Sequence, residues 1–155
     1  MSSNLFDMTN KVALITGSSK GIGRAIAEEM VRQGAKVVIS SRKADVCQEV
    51  ADAINAEAKA SGNQTGEAIV IPAHVGQREA LQHLVDETRA RLGQIDVLVC
   101  NAAVNPFYGS MQELPDDAMD KILDINIKSN HWLVNMVLPE MIERKDGAII
   151  IVSSV

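Results

Sequence analysis

Three glycines, at positions 17, 21 and 23, lie in the stretch "TGSSKGIGRAIAEEM", directly behind the apolar run "VALIT". Glycine permits a tight turn, and its missing Cβ lets another molecule approach the main chain. A helix starting at such a turn offers unpaired N–H groups and the positive end of its dipole, which together suit a phosphate. A glycine cluster alone is weak evidence, because an ordinary strand-to-helix turn can also use one. Here a strand precedes it and a helical pattern follows, with apolar residues at Ile22, Ile26, Met30 and Val31, and that context points to a dinucleotide site. The expected binding group is Thr16, Gly17, Ser19, Lys20, Gly21, Ile22 and Gly23.

About 20 residues beyond the glycines, a site for a free 2′-hydroxyl carries an acid that accepts its hydrogen bond. The second apolar run ends "VVISSRKAD", so Ser41 stands at that position, with Arg42 and Lys43 behind it. An acid would repel a 2′-phosphate, whereas a guanidinium holds one through paired charge-assisted hydrogen bonds. The pattern therefore favours NADP(H) over NAD(H), with Lys20 as a second positive charge. Asp45 comes several residues later and reads as the first turn of the next helix, where a carboxylate suits the dipole.

Two further groups could do chemistry. Asn126 and Asn130 fall on a helical stripe with Met119, Ile122, Leu123, Leu133, Val134 and Val137, so Asn126 is expected to face inward. A buried amide without partners costs roughly 1–3 kcal/mol, so something must satisfy it. At the other end, "GAIIIVSSV" builds a strand that delivers Ser153 and Ser154. Neighbouring strand residues point to opposite faces, so only one of the two can serve a given site.

The elements that must position these groups alternate regularly. Apolar runs at 11–16, 36–40, 68–71, 95–100 and 148–152 read as strands, and the segments 22–33, 45–60, 78–92 and 116–144 read as helices. Each gap is too long for a hairpin, and strands such as "VALIT" and "DVLVC" are apolar at nearly every position, so both faces must be covered. The fold class is α/β: a doubly wound, Rossmann-type parallel sheet sandwiched by helices, in a single domain spanning 1–155. The stretch "ASGNQTGEA" at 60–68 reads as a loop.

Taken together, the motifs resemble the short-chain dehydrogenase/reductase family, whose cofactor motif reads T-G-x-x-x-G-x-G. "NAAV" at 101–104 resembles the family's N-A-G at the end of strand four, "LDINIKSN" puts Asn126 at the position of a catalytic asparagine, and "IIIVSSV" puts Ser154 at that of the catalytic serine. The resemblance implies that Asn101, Ala102 and Val75 line the cofactor, that Asn126 anchors a water in a proton relay, and that Ser154 holds a substrate carbonyl oxygen. It implies an oxidoreductase acting on a carbonyl or secondary alcohol, homo-oligomeric when complete. The loop "VNPFYG" is similar to that of NADPH-dependent carbonyl and retinal reductases. Two departures stand out. Where the family carries Asp-Val near the adenine, this chain has His74-Val75, which leaves a base contact and a plain loop histidine both open. The family's Y-x-x-x-K is absent: Tyr108 is the only tyrosine, and Gln112 stands four residues beyond it. The expectation is a chain truncated after strand five, an inactive front part of such an enzyme; a non-catalytic NADP(H)-binding or redox-sensing module is the alternative.

Composition bounds the rest. At 46% hydrophobic and 23% charged the chain has the balance of a globular domain. A net charge of −5 and 3% aromatics supply neither a basic stripe nor a stacking platform, so no nucleic-acid partner is expected. No apolar stretch reaches membrane-spanning length and the N-terminus does not read as a leader, so the expected location is cytoplasmic, with no membrane partner. Cys47 and Cys100 read as small hydrophobes, and His74, His83 and His131 lack metal-ligand spacing, so no metal is expected.

Overall fold

Valine and isoleucine crowd the apolar runs, and their stiff β-branched side chains suit a pleated surface. In a computed structural model that describes residues 5–153, these runs form β1 (Val12–Thr16), β2 (Lys36–Ser40), β3 (Glu67–Val70), β4 (Val97–Cys100) and β5 (Ala148–Ile151). All four pairings are parallel, and the strand order is β3-β2-β1-β4-β5. The chain steps outward from β1 through β2 to β3, then returns to the far side of β1 with β4. That reversal opens a crevice at the carboxyl ends of β1 and β4, the place where doubly wound sheets bind ligands.

Helices α1 (Gly21–Arg32), α2 (Ala44–Ala60), α3 (Arg78–Leu92), α4 (Asp116–Ile122) and α5 (Ser129–Arg144) provide the crossovers. On one face of the sheet, Ala13, Ile15, Val37 and Ile39 pack against Ala27 and Val31 of α1 and Val50 and Ile54 of α2. On the other, Leu14, Val38 and Leu98 pack against Leu81, Leu84 and Val85 of α3 and Leu133 and Val137 of α5. Leu14, Ile15, Ile39 and Leu98 are fully enclosed, and each such side chain contributes about 1.5–3 kcal/mol relative to an exposed one. No helix among the described residues is long and apolar enough to cross a membrane.

Three expectations need correction. Ile22 does not belong to the buried stripe of α1: it is 64% exposed, and Gly23, Ala27 and Val31 carry the stripe, with Ile26 and Met30 half-buried beside them. The segment 116–144 is not one uniform helix. Between α4 and α5 it widens into a π-helical segment, Leu123–Lys128. The cause is local: the Ser129 hydroxyl donates to the Ile125 carbonyl and the Asn130 amide to the Asn126 carbonyl at 2.8 Å, while the Ser129 N–H donates to Asp124 O. Side chains that bond the carbonyl four residues back compete with the helical ladder in this way. The wider turn also moves the buried face to Ile125, Ser129, Leu133, Val137 and Met141, leaving Met119 and Leu123 37% and 44% exposed. The expected loop after α2 is present, and it is tied down: Asn63 donates to the Val31 and Arg32 carbonyls and accepts from the N–H groups of Thr65 and Gly66.

Candidate active site

The glycine turn is stitched to both neighbouring strands. On the β2 side, Ser18 Oγ accepts the Ser40 N–H at 2.8 Å, and the Ser18 N–H donates to Ser40 O at 3.2 Å. On the β4 side, the buried Thr16 hydroxyl accepts the N–H groups of Asn101 and Ala102, both at 3.1 Å. The Asn101 amide then donates to the carbonyls of Thr16 and Gly17 at 3.0 and 3.1 Å. A Cβ on Gly23 would lie 2.4 Å from that amide nitrogen, so close packing demands glycine there. Gly21 differs: its φ is +56°, and a Cβ would meet nothing within 4 Å. The space beside Gly21 is open, and α1 begins there with no side-chain cap and no acid in its first turn. A free helix start facing an open cradle is what a phosphate group needs.

The exit of β2 lies alongside, because the Ser18–Ser40 bonds bring residues 17–20 next to residues 40–42. Ser41 is half-buried, its hydroxyl 3.1 Å from Cys47 Sγ, and Arg42 is exposed and in no ion pair among the described residues. Asp45 sits in the first turn of α2 and is exposed. Beyond β3, the Ala73 N–H donates to Ser41 O at 3.1 Å, which carries the strand pairing out to His74 and Val75. Both are half-buried, and Val75 packs with the α3/α5 core.

Asn126 lies on the π segment and finds its partners on the loop after β4. Its Oδ1 accepts the Val104 N–H at 2.8 Å and its Nδ2 donates to Val104 O at 2.9 Å. The amide behaves as a one-residue strand and fixes the loop that leaves the crevice. π segments recur at functional sites because they turn a side chain out of helical register. In the loop itself Phe107 is half-buried, while Tyr108 is fully exposed and lies in no helix. Cys100, just before Asn101, is buried, and that burial pushes its thiol up to about 11.

Comparison with known proteins supplies the family. A sequence profile described as "short chain dehydrogenase" matches residues 11–155. The chain belongs to that family. It is 43% identical to dehydrogenase/reductase SDR family member 4 of Bos taurus over 148 residues, covering 96% of this chain and 50% of that protein. It is also 43% identical to the human "Dehydrogenase/reductase SDR family member 2, mitochondrial", with the same coverage. Among solved structures, a metagenomic short-chain oxidoreductase in complex with NADP superposes with a TM-score of 0.85 at 32% identity, covering 96% of this chain and 64% of that one. The chain thus spans about half the length of the curated relatives it matches.

Within this short-chain dehydrogenase frame, the structure brings together Thr16, Gly17, Ser19, Lys20, Gly21, Ile22, Gly23, Ser41, Arg42, Asn101 and Ala102 at the carboxyl end of the sheet. Ser154 lies outside the described residues. The exposed Ser153 follows Val152, whose N–H donates to Cys100 O at 3.0 Å, so Ser153 leaves β5 beside the Asn101 segment. Sequence reasoning passed over Ser18, the residue that joins the glycine turn to β2. Its position two before Lys20 held a signal: Ser18 is a short hydroxyl residue two positions beyond the end of β1, and such residues bond nearby backbone groups, as it does to Ile15 O at 2.8 Å.

Proposed function

We propose that the chain is the cofactor-binding part of an NADP(H)-dependent oxidoreductase that interconverts a ketone or aldehyde with the matching secondary alcohol. The observation that carries this reading is the open cradle at Gly21, held rigid from both sides by Ser18 and Asn101, with Ser41 and Arg42 at its β2 border. When bound, NADPH supplies the hydride that a carbonyl carbon accepts, with a proton going to the oxygen.

The residues of this chain bind and orient. The N–H groups at the start of α1 take the pyrophosphate, and the absence of an acid in that turn avoids repulsion. Ser41 and Arg42 take the 2′-phosphate, with Lys20 adding charge. Ser19, the exposed Ile22 and the Asn101–Ala102 segment border the crevice and contact the bound group, and Val75 supports it from the β3 side. The Asn126 side chain is engaged by Val104, so its proposed part in a proton relay runs through the loop it fixes. Ser154 is proposed to hold the carbonyl oxygen. The rest of the proposal is a single domain over 1–155, a cytoplasmic location beside a human relative named mitochondrial, and homo-oligomers of the complete protein.

Cofactor titration tests the reading. Arg42→Ala is expected to weaken NADPH binding by roughly tenfold or more while NADH binding barely changes, since only the 2′-phosphate offers a charged partner. Equal losses for the two cofactors would refute the assignment.

A further inference from the structure

The segment 103–109 leaves the carboxyl end of β4 at the mouth of the crevice and carries Phe107 and Tyr108, yet it has no regular structure. Among the described residues, its only hydrogen bonds are those that Val104 makes with the Asn126 amide. The whole stretch hangs on one side chain. Asn126 points at Val104 because of where the π segment turns it: each residue advances a helix by about 100°, so closing Leu123–Lys128 down to an ordinary α-turn would swing the amide away from the loop.

Two side chains stand where the π segment gives way to α5. Ser129 is buried and its hydroxyl donates to Ile125 O; Asn130 is half-buried and its Nδ2 donates to Asn126 O at 2.8 Å. The second bond grips the residue that holds Val104. From α5 to the loop there is then one chain of contacts: Asn130 Nδ2, the Asn126 carbonyl, the Asn126 amide, and both backbone groups of Val104. We infer that Asn130 is a positioning residue for the crevice: by donating to the Asn126 carbonyl it sets the direction of the Asn126 amide, and so the place of segment 103–109. Its meaning for catalysis rests on the oxidoreductase reading above, in which a reactant enters the crevice beside that segment. The contacts themselves stand without it. What position 130 must supply is a donor, not a shape. An aspartate has the shape of asparagine but, when ionised, can only accept, and it would meet the Asn126 carbonyl with another acceptor. A serine is smaller, yet its hydroxyl can bond the carbonyl four residues back, as Ser129 does.

Hydrogen exchange on the 155-residue chain, read residue by residue by NMR, tests the donor. In the unmodified chain the Val104 amide and the Asn130 side-chain protons are expected to exchange at least about tenfold more slowly than in an unstructured peptide. Unprotected Asn130 protons would overturn the inference with no variant needed. Asn130→Asp is expected to quicken exchange at Val104 by about tenfold or more relative to the β1 amides, the effect of one hydrogen bond, while Asn130→Ser stays within about threefold of the unmodified chain. If Val104 stays protected in Asn130→Asp, or if the serine variant loses as much protection as the aspartate, the side chain only fills space and the inference falls. NADPH titration of the unmodified chain keeps the two readings apart: failure to bind at millimolar concentration would overturn the cofactor reading, whereas the exchange rates decide the role of Asn130 with no cofactor present.

Discussion

The two edges of the sheet are built from similar residues and finished differently. At one edge, Glu67 and Ile71 direct their N–H groups to β2, so Ala68 and Val70 turn theirs outward. Side chains meet those outward groups. The Asn55 amide of α2 pairs with both backbone groups of Ala68, at 2.8 and 2.7 Å, and Arg91 of α3 donates to Val70 O at 3.1 Å. At the other edge, Ala148 and Val152 donate to β4, so Ile149 and Ile151 face out. No side chain among the described residues takes their outward backbone groups, and Ile150 and Ile151 are 45% and 55% exposed. An edge is defined by what meets its free backbone groups, and a single amide on a crossover helix can stand in for a strand. Asn126 repeats the device against Val104, where it fixes a loop and not an edge.

The comparison can be broken most directly at β5. The 155-residue chain is expected to self-associate at micromolar concentration through that edge, and Ile151→Lys should shift it toward monomer by more than about tenfold, since an edge lysine opposes strand addition. Sedimentation velocity decides; an unchanged distribution would remove β5 from the account. A smaller effect is expected at Asp96, which ties the open edge to the sheet centre. This carboxylate is 2% exposed, its Oδ2 accepts the Val12 N–H at 2.8 Å and its Oδ1 accepts from Gln94 Nε2, while its backbone carbonyl accepts the Ala148 N–H. Asp96→Ala should cost about 3 kcal/mol by leaving the buried Val12 N–H unpaired and Arg144 without its nearest buried carboxylate, read by urea unfolding. Smaller still is Asn55→Ala, at about 1–2 kcal/mol, because water can reach the edge it uncovers. Its distinguishing sign is local: hydrogen exchange at the Ala68 amide should quicken while exchange in β1 keeps pace only with global stability. Uniform quickening would mean that Asn55 supports the helix and not the edge.

Much of the site could be read from residue order. The glycines at 17, 21 and 23, the missing acid at Ser41 and the serine-bearing strand all depend on local rules, since a turn, a strand end and a helix start are each set by a few consecutive residues. Apolar periodicity misplaces Ile22 because it counts positions and not surroundings: this residue of the first turn of α1 is 64% exposed and lies outside both core clusters. The long helix was misread for a related reason. Periodicity presumes 3.6 residues per turn throughout, and the side-chain bonds of Ser129 and Asn130 break that presumption at the residue whose direction matters most, Asn126.

By itself, the sequence determined the parallel α/β architecture, the strand and helix order, the glycine turn ahead of α1 and the positive character of the β2 exit. These follow from short-range sterics and from the need to bury apolar runs on both faces. Only the tertiary structure decided which polar groups became partners: Ser18 with Ser40, Asn101 with the glycine turn, Asn126 with Val104, Asn55 with Ala68 and His74 with Gly76. Apart from the two-residue bond of His74, these partners are separated by 13 to 84 residues in the chain. A hydrogen bond needs its atoms placed within a few tenths of an ångström, and that placement exists only once the packed core has fixed where each strand end lies.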